Sequence, residues 1–159
     1  NHARALNALG VLMAQEGGDL GAAEELVARA LRADTTHAAN YNESLADIRL
    51  RRGDAAGALA ACATGLALPA DSTLRALLYW RRAEAHRALG ATADELAALQ
   101  AVLATGVTGE RATAARARRE EISRNWQPEA AAHPAGYTAG KHRSRCRPCP
   151  SSPSRRTCS

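Results

Sequence analysis

The chain has 159 residues, enough for one domain, and it contains no Phe and only three Tyr. A core of Leu, Val and Ala suits closely packed helices better than sheets, which favour β-branched and aromatic residues. The net charge is +5, and no apolar run reaches the roughly 18 residues of a membrane span. We therefore expect an all-α protein with no membrane contact and a cytoplasmic location. No signal peptide precedes the first helical pattern, and the initial Asn in place of Met indicates a truncated N-terminus.

The first repeated unit covers about residues 3–36. An apolar helical pattern runs to the break Gly17-Gly18-Asp19, and a second helix rich in Ala and Leu follows. Gly adopts the left-handed conformation that ends a helix, and an Asp after it can accept hydrogen bonds from the first N–H groups of the next. A break this short forces the two helices to lie antiparallel.

The same layout recurs over about residues 39–70 and 73–105. Gly18, Gly53 and Gly90 mark the breaks and lie 35 and 37 residues apart. Asp54 follows Gly53 as a capping residue, as Asp19 follows Gly18. In the third unit Thr92 takes that role, and its spacing to Glu95 is that of a capping box. A constant period of this length predicts a stack of helical hairpins.

These units resemble tetratricopeptide repeats, whose period is about 34 residues. The resemblance rests on Leu6, Leu9-Gly10, Met13, Gly18-Asp19, Ala23, Val27 and Ala30-Leu31 in the first unit, on Leu45-Ala46, Gly53-Asp54, Ala58, Cys62, Gly65-Leu66 and Pro69 in the second, and on Tyr79, Ala83, Gly90, Leu99 and Val102-Leu103 in the third. Glu95 stands where a small residue is usual, which leaves the register of the third unit's second helix open. The resemblance implies an α-α superhelix, or solenoid, of three helical hairpins.

Small residues in the repeat are expected where helices cross at short distance, because a larger side chain would separate them. Gly10, Ala46, Ala58 and Ala83 hold such positions. Cys62 falls on a core-facing position without a neighbouring base or cation in the pattern. We expect it to be buried and inert.

Residues 108–126 predict one further helix, with Thr108 as a candidate N-cap. One possible buried stripe consists of Ala112, Ala115, Arg119 and Ile122. The charged run over residues 116–121 is suited to covering the last apolar face of a solenoid. We therefore expect a C-terminal capping helix that closes a helical domain of residues 1–126.

Residues 127–159 differ in composition from the rest of the chain. Residues 1–126 hold 15 basic and 15 acidic residues, whereas residues 127–159 hold six basic residues and Glu129 alone. This basic segment is rich in Pro, Ser and Cys, so we expect a disordered tail. An out-of-frame reading of a GC-rich gene would give a similar composition.

The tail also contains one weak metal-site pattern. Cys146 and Cys149 have the spacing of half a zinc site, and His142 with Cys158 would complete four ligands. A solitary pair in a Pro-rich segment is poor evidence for zinc, so we expect no metal and no other cofactor. The basic residues could contact phosphates, but no aromatic residues interleave with them, so we do not expect nucleic-acid binding.

The resemblance implies that the first helix of each hairpin lines a concave groove that holds a peptide or helix of a partner protein. Of the Lys, Asn and Arg clamp with which chaperone-binding members hold a C-terminal carboxylate, only Arg81 is present, so that partner is not expected. The groove positions that we expect to contact a partner are Asn7, Asn40, Glu43, Asp47, Trp80, Arg81, Glu84 and Arg87.

No catalytic set, phosphate loop or dinucleotide fingerprint is suggested by residue spacing, so we do not expect an enzyme. The sequence favours a protein–protein interaction module that acts as a scaffold or adaptor, and it leaves the oligomeric state open. The alternative is the docking arm of a larger bacterial enzyme, of the glycosyltransferase or sulfotransferase type, whose catalytic domain lies outside this chain.

Hydrogen exchange tests the expected division of the chain. We expect amide protection within residues 1–126 and none within residues 127–159, because only the first segment has the apolar pattern that can form a core. Protected amides in the tail together with unprotected hairpins would contradict the division.

Overall fold

The computed structural model describes residues 2–125, and these residues form seven α-helices with no strand among them. The expected all-α stack of three antiparallel hairpins followed by one more helix is confirmed. The helices are α1 (His2–Gln15), α2 (Leu20–Ala33), α3 (Ala38–Arg51), α4 (Ala55–Leu66), α5 (Ser72–Ala88), α6 (Thr92–Ala104) and α7 (Glu110–Asn125). None of these helices is both long and apolar enough to cross a bilayer.

Each hairpin turns at a glycine in the left-handed conformation. The φ angles of Gly17, Gly53 and Gly90 are 75°, 80° and 70°. Gly17, and not Gly18, makes the first turn, so the three turns are 36 and 37 residues apart. Asp19 then accepts hydrogen bonds from two N–H groups of α2, and Asp54 accepts one from α4. The expected Asp caps of the first two hairpins are therefore present.

The expected cap of the third hairpin is wrong. Helix α6 begins at Thr92 itself, and the N-cap residue Ala91 makes no side-chain hydrogen bond. Glu95 is not available for a capping box, because its side chain is buried and contacts Arg118 of α7. The start of α7 also differs from the expectation, since the helix begins at Glu110 after Gly109, whose φ is 78°.

Small residues let the helices of a hairpin approach closely. Gly10 of α1 faces α2, and a Cβ atom at this position would lie 2.7 Å from the carbonyl oxygen of Ala23. Ala46, Ala58 and Ala83 are buried, as expected. Because the backbones are so close, Leu, Val and Ala side chains fill the core without any Phe.

The third hairpin replaces one of these small residues with a charge. Ala23 and Ala58 hold equivalent positions in α2 and α4 and are fully buried, whereas α6 places Glu95 there with 4% exposure. Arg118 Nε donates a hydrogen bond of 2.7 Å to Glu95 Oε1, and its Nη1 donates one of 2.8 Å to Glu121. These hydrogen bonds raise the pKa of Arg118 and lower the pKa of Glu121. Arg118 thus points towards α6 and pairs with a buried carboxylate, in addition to covering the last apolar face from solvent.

The buried stripe of α7 is close to the expected one. Ala112, Ala115 and Ile122 are buried. Arg119, the fourth residue of the expected stripe, is only half-buried. Ala115 and Ile122 pack in a cluster with Leu99 and Val102 of α6. Helix α7 therefore covers the apolar side of the last hairpin.

Substitution of Arg118 by Ala tests whether this ion pair holds α7 in place. We expect a loss of about 2 kcal/mol in the free energy of unfolding, because Glu95 keeps a buried charge without its partner. The double substitution Glu95→Ala with Arg118→Ala should recover most of the loss, since it installs the small residue of the other hairpins. Urea unfolding gives these values. Arg116→Ala, an exposed change on the same helix, is the matched control, and equal losses for Arg116→Ala and Arg118→Ala would contradict the assignment.

Candidate partner-binding surface

The first helices of the three hairpins lie side by side. Helix α3 contacts α1 on one side and α5 on the other. Within residues 2–125 no comparable contact joins α2 to α4 or α4 to α6. The first helices of neighbouring hairpins therefore contact each other more closely than their second helices do. We call the surface formed by α1, α3 and α5 the inner surface.

A charged cluster centred on Arg81 crosses the inner surface from α3 to α5. Arg81 Nε lies 3.0 Å from Glu43 Oε1. Its Nη1 lies 3.0 Å from Asp47 Oδ1 and 3.0 Å from Glu84 Oε2. Arg51 contributes a second guanidinium, whose Nε is 3.0 Å from Asp47 Oδ2. The cluster thus contains three carboxylates and two guanidinium groups.

The Arg81 guanidinium stays charged in this environment. Burial works against its charge, but Asp47, Glu43 and Glu84 outweigh that effect and raise the pKa of Arg81 above its ordinary value. Four of the eight expected partner-binding residues are therefore paired with one another. Glu84 contacts Arg81 within its own helix, at i, i+3.

A depression of about 550 Å³ lies beside the charged cluster. Arg87 is exposed at this depression, where Leu50 and Ala88 supply an apolar part of the lining. The depression joins Arg87 to the charged cluster, and it contains Arg51, which was not among the expected site residues. The i, i+4 spacing from Asp47 to Arg51 was the signal that could have identified it.

A second, smaller depression of about 170 Å³ brings Asn7 and Asn40 together between α1 and α3. Arg4, His37 and Tyr41 complete its lining. Asn7 Oδ1 is buried and has no hydrogen-bond partner among residues 2–125. Asn7 therefore brings to the depression an amide group whose buried oxygen has no hydrogen-bond partner in the described part of the chain.

Asp34 contacts two of the residues that line this smaller depression, His37 and Tyr41. Its Oδ2 lies 2.8 Å from His37 Nδ1 and accepts a hydrogen bond of 3.0 Å from the Tyr41 hydroxyl. The contact with His37 and the hydrogen bond from the Thr36 N–H hold the pKa of Asp34 well below its usual range. Asp34 is therefore ionised near neutral pH. His37 and Tyr41 were not among the expected site residues, because their role depends on this contact between a loop and a helix.

Trp80 lies in neither depression. Its half-buried side chain packs against the hydrophobic cluster of the last hairpin. It also lines an open cleft of about 720 Å³ between α5 and the α6–α7 connection, together with Thr73, Val107 and Arg111. The structure thus distributes seven of the eight expected residues over two depressions and a separate cleft, and the eighth, Glu43, lies in the charged cluster.

Cys62 and the metal-ligating residue types were the other candidates for a site within residues 2–125. Cys62 is fully buried, as expected, and burial raises the pKa of its thiol to about 12, with Glu43 adding to the effect. No group of three or more His, Cys, Asp or Glu side chains in this part of the chain is placed to hold a metal ion. The weak zinc pattern lies outside the described residues, and it consists of His142, Cys146, Cys149 and Cys158.

The three hairpins, the glycine turns and the crossings at small residues define a tetratricopeptide-repeat fold. Among solved structures, the chain is similar to the first TPR domain of the human RPAP3 protein, determined by NMR. The TM-score is 0.68 at 19% sequence identity, and the match covers 83% of this chain and 98% of that one. No family model matches the sequence. A comparison with curated proteins also gives no match.

Replacement of Arg81 by Met tests the charged cluster. We expect a loss of about 2 kcal/mol in the free energy of unfolding, because three carboxylates would remain close together without their shared cation. Arg87→Met is the matched control on the same helix and should change stability by about 0.5 kcal/mol or less, since Arg87 is exposed. Thermal and urea unfolding measure both. Equal effects of the two substitutions would show that Arg81 does not organise the cluster.

Proposed function

We propose that this chain is a protein–protein interaction module that binds an extended segment or a helix of a partner protein on its inner surface. The fold supports this proposal, because stacked hairpins present one continuous surface formed by successive helices. The alternative is that the chain is the docking arm of a larger bacterial enzyme. The same surface would then bind the segment, and only the protein that supplies this segment would differ.

The unpaired Asn7 amide oxygen is the observation that carries the proposal. Buried polar groups in folded proteins nearly always have a hydrogen-bond partner, so an exception requires an explanation. Asn7 lines a depression with Asn40 and Arg4. A rotation of the half-buried Asn7 side chain towards the depression would let its oxygen accept a hydrogen bond from a backbone N–H group of a bound segment. The exposed Asn40 amide would pair with the next peptide group.

The charges of the inner surface support a partner of mixed polarity. The carboxylates and guanidinium groups of the Arg81 cluster largely neutralise one another. The cluster therefore forms a polar surface with only a weak electrostatic field. Arg4 and Arg87 are exposed at the two depressions. We infer that a bound segment would place acidic side chains near these two guanidinium groups.

A peptide library displayed on phage and selected on the immobilised full chain tests the proposal. Affinities of the selected peptides are then measured by fluorescence polarisation against Asn7→Leu and Gln100→Ala. Asn7→Leu should weaken binding about tenfold, because the peptide N–H loses its acceptor. Gln100 is exposed on α6, a second helix, so the control should leave the affinity unchanged.

Selected peptides that bind wild type and Asn7→Leu equally well would contradict binding at this depression. Arg87→Ala provides a second measurement, with an expected loss of a few-fold that shrinks at high salt. Peptides that ignore both Asn7→Leu and Arg87→Ala would remove the inner surface as the binding site.

A further inference from the structure

The outer side of α1 is an exposed apolar face. Leu9 and Leu12 are 49% and 53% exposed, and Ala5 and Ala8 are exposed beside them. The spacing of these four residues places them on one side of the helix. We call this set, Ala5, Ala8, Leu9 and Leu12, the α1 face.

The equivalent positions of α3 are covered. Helices α1 and α3 can be compared by aligning Gly10 with Ala46. Tyr41, Leu45 and Ile48 of α3 then correspond, in that order, to Ala5, Leu9 and Leu12 of α1. These three side chains are 2%, 7% and 0% exposed. Their cover includes α2, which packs against α3. The α1 face is therefore a helix-packing face for which residues 2–125 supply no covering helix.

We propose that a second copy of this chain covers the α1 face, with the two α1 helices antiparallel about a two-fold axis. An axis midway between positions 8 and 9 sets Leu12 against Ala5 of the second copy. It also sets Leu9 against Ala8 of the second copy. Each leucine then meets an alanine, which is the alternation of large and small side chains that a packed helix pair requires.

The polar ends of α1 agree with the antiparallel arrangement. His2 and Glu16 are both exposed and lie at opposite ends of the helix. Antiparallel packing brings His2 of one copy close to Glu16 of the other, whereas parallel packing brings like residues together. The ends therefore favour the self-complementary contact.

A head-to-tail stack of α1 on α7 of the next copy is disfavoured by charge. The outer side of α7 exposes Arg116, Glu120, Glu121 and Arg124. Packing leucines against this side would remove charged groups from water without apolar contacts in return. The contact therefore closes as a dimer and does not continue as a filament.

One helix pair of this length is a small interface. Interfaces well below about 1,200 Å² belong to weak and transient complexes. We accordingly expect a dissociation constant on the order of 100 µM, so the dimer forms only in concentrated solution.

Sedimentation equilibrium of the full 159-residue chain, under reducing conditions, tests the proposal. The weight-average mass should rise from one chain towards two as concentration increases through the expected range. Leu12→Glu should weaken association at least about tenfold, because two carboxylates would enter the contact. Leu89→Glu is the matched control, because Leu89 is 54% exposed at the end of α5, outside the α1 face. Circular dichroism verifies that both variants remain helical.

Complementary charges test the antiparallel register. An Ala5→Glu chain and a Leu12→Lys chain should each fail to self-associate, whereas their mixture should associate, because position 5 of one copy faces position 12 of the other. A parallel pair would set position 5 against position 5 and give no such recovery. Any one of four results would overturn the proposal. These are a monomer at every concentration, association that Leu12→Glu does not weaken, assemblies larger than two copies, and a mixture of the two charged variants that does not associate. None of these results depends on whether a peptide binds the inner surface.

Discussion

Close approach of the two helices in a hairpin is the constraint on which the rest of the structure depends. The Cβ that Gly10 lacks would lie 2.7 Å from the carbonyl oxygen of Ala23. A Cβ on Gly65 would likewise lie 2.8 Å from Leu78 Cδ2, at the contact between α4 and α5. At these distances Leu, Val and Ala fill the space between helices, and ridges of one helix enter grooves of the next. Contacts of α3 with α1 and with α5 then join the first helices as one surface.

Two ion-pair clusters place charged groups within this largely apolar stack. In one, Glu95 occupies a position that Ala holds in the other hairpins, and Arg118 approaches from α7 to compensate for the buried carboxylate. In the other, Arg81 gathers carboxylates from α3 and α5. The first cluster joins the consecutive helices α6 and α7, and the second joins α5 to α3 across the intervening α4. Since an unpaired charge in such places is costly, each cluster favours one arrangement of its helices.

Helix α1 carries two surfaces that face different directions. Asn7 lies on the side that meets α3 at the inner surface, and Leu12 lies on the side that projects away from the stack. A partner on the inner surface and a second copy on the α1 face would therefore not compete. Self-association through α1 would place two inner surfaces in one assembly, which increases effective concentration for a partner with two binding segments.

Local sequence patterns were enough to predict the seven helices of residues 2–125 and the Asp caps of the first two hairpins. They did not identify Gly17 as the first turn or Glu110 as the start of α7. Gly53 and Asp54 act on backbone groups within a few residues, so their consequences can be read locally. The repeated spacing also predicted the stack, and the resemblance to tetratricopeptide repeats implied that the first helices line a common surface. Burial of Cys62 followed from its position in the same repeat.

Tertiary structure decided which of those polar residues act together. Arg81 pairs with Glu43 across 38 positions, and Arg118 pairs with Glu95 across 23. Trp80 turns to the α6–α7 connection, and the Asn7 oxygen is left without a partner within residues 2–125. These outcomes depend on distances between helices, which are set by the packing of the whole stack. A local pattern contains the residue types and their faces, but not those distances.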